Sequence, residues 1–191
     1  VAAAQAALEN AGVRPEELDL IIGATISADT ISPGLAGMVQ NRIGATCPCF
    51  DMNVACPGFL FALDVADGFF ARKRAKKVLV VSSERMSGMI DWTDRGTCVI
   101  FGDGAGAAVL GEGDNYLSST LSTIGGEDVI SIPTKWDNSP FYEKELGKNV
   151  VHMQGQETYK FAFTSMVRDV RLVMEQAGIT GDQVKAVIPH Q

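Results

Sequence analysis

The sequence predicts an α/β protein built as two related halves. Two observations carry this. Short apolar runs alternate with helix-like segments, as they do where helices pack on a mostly parallel sheet. A pattern of helix, glycine cap and strand near the start also recurs without a gap 166 positions later.

The first Ala-rich segment, residues 1–10, is helical and closes at Gly12, where glycine can take the left-handed conformation. After the turn Arg14-Pro15-Glu16-Glu17, residues 18–25 form a short apolar run bounded by turn residues, as a buried strand does. Residues 33–44 read as a helix, 49–54 as a strand, 58–72 as a strongly apolar helix and 76–83 as another buried strand. Residues 97–101 and 105–110 read as strands flanking the Gly-rich turn Gly102-Asp103-Gly104. Beyond Gly111 the chain is polar and irregular, with loops at Gly125-Gly126 and Asp137-Asn138-Ser139-Pro140.

Helix, cap and strand then return in residues 172–188. Gly12 meets Gly178, and Leu18, Ile21 and Ile22 meet Val184, Val187 and Ile188. The boundary between the halves is placed near Gly113, giving 1–113 and 114–191. The second copy stops three residues after its strand, so the chain reads as truncated.

Composition narrows the function. A chain of 191 residues with 46% hydrophobic residues can bury a sizeable core. Its net charge of -7 argues against a nucleic-acid partner. The basic run Arg72-Lys73-Arg74-Ala75-Lys76-Lys77 suits a solvated helix end, with an acidic carrier protein as another occupant. No apolar stretch reaches the roughly 20 residues of a membrane span, so the expected compartment is the cytoplasm. Cys47, Cys49, Cys56 and Cys98 lack paired knuckle spacing, and His152 and His190 lie far apart, so no metal is expected. The run Gly102-Asp103-Gly104-Ala105-Gly106 lacks the following helix that a dinucleotide site requires.

Cys56 ends an apolar strand and directly precedes Pro57, a residue suited to the first position of a helix. A thiol there meets unpaired backbone N–H groups and the positive end of the helix dipole, which favour thiolate. The helix that follows, Phe59-Leu60-Phe61-Ala62-Leu63, is apolar on nearly every face and belongs inside the protein. Two readings of Cys56 stand at this point, a small buried hydrophobe or a nucleophile. A nucleophilic thiol commonly works with a histidine, and His190 directly follows a buried strand, at the edge where α/β proteins build sites. His152 reads as a half-exposed structural residue.

Four stretches resemble the ketoacyl-acyl carrier protein synthase III family of thiolase-like condensing enzymes. They are residues 50–59 around Cys56, residues 91–107 through Gly102-Asp103-Gly104-Ala105-Gly106, residues 153–162 beginning Met153-Gln154-Gly155, and Ile188-Pro189-His190-Gln191. The resemblance implies a thiolase-like α/β fold with two pseudo-symmetric halves, layered sheets and a buried nucleophile helix. It also implies decarboxylative Claisen condensation of an acyl-coenzyme A (acyl-CoA) with malonyl-acyl carrier protein through acyl-Cys56, initiating fatty acid biosynthesis. In that reading His190 stabilises the thioester oxygen, Phe101 lines the acyl pocket, Met153 and Gly155 flank the substrate entrance, and Arg95 and Trp92 meet the coenzyme A nucleotide.

The family is dimeric and needs no cofactor beyond its thioester substrates. Its catalytic asparagine, a second oxyanion glycine and an N-terminal strand have no counterpart in these residues, so the chain as written is expected not to complete the condensation. Pro57 and Ser32 also depart from the family's usual residues. Other readings are a hydroxymethylglutaryl-CoA synthase-like or secondary-metabolite enzyme, an inactive dimer partner, and a papain-like hydrolase. The last is disfavoured because Cys56 would attack peptides from a core helix.

Overall fold

The computed structural model describes residues 1–133, 141 and 149–190, so the predicted loop at residues 137–140 lies outside the described residues. The chain divides into two compact units. The first holds Val1–Arg85 and Asp103–Ser119, with His190 assigned to it, and the second holds Met86–Gly102 and Thr120–Pro189.

The first unit is a four-stranded sheet ordered β2-β1-β3-β4. Its strands are β1 (Leu20–Ala24), β2 (Cys49–Met52), β3 (Lys77–Arg85) and β4 (Asp103–Gly111). β1 runs parallel to β2 and β3, whereas β4 is antiparallel to β3, with Lys77 opposite Gly111 and Arg85 opposite Asp103. Because successive strand residues point to opposite faces, β1 and β3 each feed two cores. Ile21, Leu79 and Val81 pack with α1 (Ala2–Ala11) and α2 (Leu35–Ile43), while Leu20, Ile22, Val78 and Val80 pack with α3 (Gly58–Ala71). Helices thus cover both faces of a parallel-centred sheet.

α1 and α2 end where the sequence says they should. Gly12 (φ 61°) and Gly44 (φ 79°) take the left-handed conformation open to glycine, and their N–H groups or the next residue's close the last turn. α2 begins on a borrowed cap. Both carboxylate oxygens of Asp51, on the neighbouring strand, accept from the helix's first N–H groups, Leu35 at 2.5 Å and Ala36 at 2.7 Å.

α3 departs from expectation. Its buried residues are Gly58, Ala62 and Ala66, which meet the sheet, while Leu60 is 60% exposed. The all-round apolar sequence therefore has one face against the sheet, and among the described residues its other side is not fully covered.

The second unit contains β5 (Ile130–Ser131) paired with β6 (His152–Met153), and the 23-residue α4 (Gly155–Ala177). Gly178 (φ 66°) closes α4 as Gly12 closes α1. The repeat extends to the turns that follow. Pro15–Glu17 and Gly181–Gln183 are single 3-10 turns, and in each the third side chain reaches back to the capping backbone: Arg14 N–H donates to Glu17 (3.0 Å) and Thr180 N–H to Gln183 (2.8 Å).

Two predicted strands are absent. Residues 97–101 form a turn, because the Asp94 carboxylate accepts from Gly96 N–H (2.9 Å) and Thr97 Oγ1 (2.7 Å), and its carbonyl accepts from Cys98 N–H (3.0 Å). These local bonds replace a sheet ladder. Residues 184–188 are irregular, since no described strand pairs with them and a strand exists only through its partner.

The first copy of the repeated turn carries a pH-sensitive contact. Glu17 pairs with Lys77 Nζ at 2.7 Å, and this bond, followed by those from Arg14, holds its carboxyl down at about 2 against an ordinary 4.5. A carboxyl depressed in the folded state contributes stability above its unfolded value, and the contribution is lost as pH falls through the folded value. Thermal melts of the protein should therefore lose part of their midpoint between about pH 4.5 and pH 2. Glu17→Gln should show a smaller loss across the same window, and equal acid profiles for the two proteins would exclude this contact as a contributor.

Candidate active site

Cys56 lies in the turn between β2 and α3, at the carboxyl end of the parallel strands, two residues before the first helical residue, Gly58. The preceding Ala55 adopts φ 53°, a left-handed conformation that costs a non-glycine residue about 1–2 kcal/mol. The turn is fixed on its far side by Gly58 N–H donating to the Ala55 carbonyl (2.9 Å) and by Phe61 N–H donating to Pro57 (3.0 Å). A methyl group at Gly58 would lie 3.0 Å from Ala24 Cβ, so glycine allows the helix start to press against the end of β1. These contacts hold the thiol on a constrained turn.

Its electrostatics differ from the expectation of a stabilised thiolate. Cys56 reaches solvent, yet the atoms around it desolvate the sulfur and push the thiol above its ordinary pKa. A backbone N–H opposes this shift, and the Glu84 carboxylate adds to it. The helix dipole is outweighed because Cys56 stands outside the first helical turn, where the dipole's effect is concentrated. Cys47 and Cys49 are also free thiols raised first by burial, and Cys98 is free.

The surrounding network was not anticipated. Thr25 and Ser27, both buried after β1, turn their hydroxyls to Glu84 at the end of β3, and Ile26 N–H donates to the same carboxylate at 2.9 Å. Thr25 N–H donates to the Met52 carbonyl (3.2 Å), which ties this cluster to the strand leading into Cys56. The available signal was a charged residue, Glu84, ending the otherwise uncharged run Val78-Leu79-Val80-Val81-Ser82-Ser83.

The other predicted residues are more dispersed. His190 is exposed in the irregular segment after Gln183, and among the described residues no hydrogen bond joins it to Cys56. In the second unit, Trp92 is exposed with its indole N–H donating to Ser87 (3.3 Å), and Arg95 is exposed on the Asp94 turn. Phe101 is half-buried, Met153 is half-buried in β6, and Gly155 opens α4. Among the described residues no group of three His, Cys, Asp or Glu side chains could hold a metal, and no helix is long and apolar enough to cross a membrane.

Comparison with known proteins places this arrangement. Residues 50–125 match the family model for 3-oxoacyl-[acyl-carrier-protein (ACP)] synthase III. A beta-ketoacyl-[acyl-carrier-protein] synthase III of Clostridium acetobutylicum is 43% identical over 194 residues, covering 99% of this chain and 60% of its own length. Among solved structures, 3-oxoacyl-[acyl-carrier-protein] synthase III from Aquifex aeolicus superposes with a TM-score of 0.82 at 38% identity, over 95% of this chain and 57% of that one. The priming beta-ketosynthase of the R1128 polyketide pathway superposes at 0.80 with 33% identity, over 94% of this chain and 55% of that one. The chain thus spans about 60% of the length of the curated relative it matches. Its fold is the α/β fold of these synthases, as the sequence predicted.

Proposed function

We propose, for a chain related in sequence and fold to the 3-oxoacyl-[acyl-carrier-protein] synthase III proteins, that Cys56 is the acyl-carrying nucleophile of a condensing enzyme. The observation that carries this reading is the constrained Ala55-Cys56 turn at the carboxyl edge of the parallel strands, inside the stretch that matches the family. In the first step the Cys56 sulfur attacks an acyl-CoA carbonyl. The new S–C bond forms, the coenzyme's C–S bond breaks, and the thiol proton ends on the departing thiolate. Malonyl-acyl carrier protein then loses carbon dioxide, and its carbanion forms a C–C bond to the acyl carbon as the Cys56 S–C bond breaks.

His190 supplies a hydrogen bond to the thioester oxygen as charge builds there. Trp92 and Arg95 meet the coenzyme nucleotide, Phe101 lines the acyl pocket, and Met153 and Gly155 flank the entrance. Residues 1–113 and 114–191 belong to two pseudo-symmetric halves, a reading supported by the repeated glycine cap and 3-10 turn. The whole protein acts in the cytoplasm as a homodimer on acyl-CoA and acyl carrier protein, initiating fatty acid biosynthesis, with no resident cofactor.

Incubating the full-length protein with acetyl-CoA and measuring intact mass tests the first step. One acetyl group on the Cys56 peptide is expected, and the absence of any adduct with short acyl donors would sink the reading. The likeness to the R1128 priming enzyme favours a second reading, priming of a polyketide, in which an acyl donor other than acetyl-CoA labels Cys56 faster.

A further inference from the structure

Glu84 is not needed to complete the fold's hydrophobic cores, yet it gathers three donors. Thr25 Oγ1 (3.3 Å), Ile26 N–H (2.9 Å) and Ser27 Oγ all point to its carboxylate. Ser27 Oγ in turn accepts from Arg85 N–H (2.7 Å), and Thr25 Oγ1 accepts from Ser27 N–H (3.1 Å). All these donors are neutral. The adjacent Arg85 guanidinium faces Asp29 instead (3.9 Å), and Glu84 has no ion pair among the described residues. A half-buried carboxylate has thus been fixed without a countercharge, beside the loop whose Thr25 N–H holds Met52 four residues before Cys56.

We infer that Glu84 is a positioning residue for Cys56: it locks the ends of β1 and β3 together through the loop that also ties to the strand leading into Cys56, and it holds an uncompensated negative charge at the same carboxyl edge of the sheet where α3 starts against Ala24. Of the charged groups on the neighbouring elements, Arg85 faces Asp29. The post-β1 loop offers the hydroxyls of Thr25 and Ser27, the first turn of α3 carries no acidic residue, and Asp51 on β2 is turned onto the start of α2.

The consequence concerns the fate of the acyl group, and it rests on Cys56 as its carrier. A nearby anion disfavours the Cys56 thiolate, which is the leaving group whenever the acyl-enzyme reverts. A thiolate that is disfavoured leaves more slowly, in reversion and in the condensation step alike, so the Glu84 charge lengthens the life of the acyl-enzyme. It also keeps the resting sulfur as thiol, the form that resists oxidation.

The test reads the thiol directly, so it succeeds or fails whether or not acyl transfer occurs. The rate of iodoacetamide alkylation at the Cys56 peptide is followed against pH in the full-length protein and in Glu84→Gln, which keeps the shape and removes the charge. The expected result is a midpoint at lower pH in Glu84→Gln, with alkylation at pH 7 several-fold faster and a thermal midpoint close to that of the unaltered protein. A midpoint that stays or rises would overturn the proposal. If Glu84→Gln does not fold, the unaltered protein still decides. At about 0.1 M ionic strength, where a Debye length of about 10 Å leaves a short-range charge felt, anionic iodoacetate should be slower relative to neutral iodoacetamide at Cys56 than at the same residue in the unfolded chain. Equal ratios there would overturn it.

Discussion

In the full-length protein, and on the proposed reading of Cys56 as the acyl carrier, Cys56→Ala is expected to abolish acyl-enzyme formation and to lower condensation by at least about 10⁴-fold, as removal of a covalent nucleophile does. Stability should change by no more than about 0.5 kcal/mol, because the side chain is solvent-accessible and contributes little to either core. The separation matters. A large loss of activity in a protein that melts normally assigns the effect to chemistry. Cys56→Ser should be nearly as inactive, since a serine hydroxyl in the same turn faces the same carboxylate and has a far higher intrinsic pKa. Intact mass is the readout. An acetyl adduct that survives in Cys56→Ala, on Cys47, Cys49 or Cys98, would move the nucleophile elsewhere.

The second large effect lies at Gly23, in the middle of β1. A Cβ built there would meet Asp51 Oδ1 at 2.3 Å, Asp51 Cγ at 3.2 Å and Ala36 N at 3.1 Å. Asp51 cannot simply swing away, because its two oxygens hold the first N–H groups of α2. Gly23→Ala therefore forces either loss of the cap, about 1 kcal/mol, or a shift of α2 from the sheet, typically 1–3 kcal/mol. The expected loss is therefore about 1–3 kcal/mol, read from the urea midpoint. Gly37→Ala is the control. That glycine sits within α2, its nearest neighbour is Pro33 Cβ at an ordinary 3.5 Å, and alanine there should be neutral or stabilising by up to about 1 kcal/mol. A Gly23→Ala midpoint equal to that of the unaltered protein would exclude the steric account.

These two sites mark what the sequence disclosed and what it concealed. The runs that became β1 and β3 were legible because burial fixes their apolar pattern, and α2 because a left-handed glycine closes it. Cys56 was legible because strand, cysteine and proline follow one another directly. The thiol's raised pKa was not, since it comes first from desolvation by the packed turn and then from Glu84, 28 residues away in sequence. Asp51 lies inside the predicted strand 49–54, and nothing in the sequence marks it as the cap on which α2 starts. Residues 97–101 read as a strand because Thr, Val and Ile favour extended chain, but Thr97, Cys98 and Ile100 give their N–H groups to the Asp94 and Thr97 carbonyls in a turn that the Asp94 carboxylate also holds.

Ala55 sets two selective pressures against each other. Its left-handed backbone is a conformation that glycine would hold without strain, so Ala55→Gly is a local relief available by a single substitution. Glycine would also give the unfolded chain more freedom and let the turn before Cys56 sample other shapes. A lineage adapting to heat would have reason to relax this position, whereas one selected for turnover would have reason to keep the strain. The residue at 55 is thus a place where relatives with different habits should diverge.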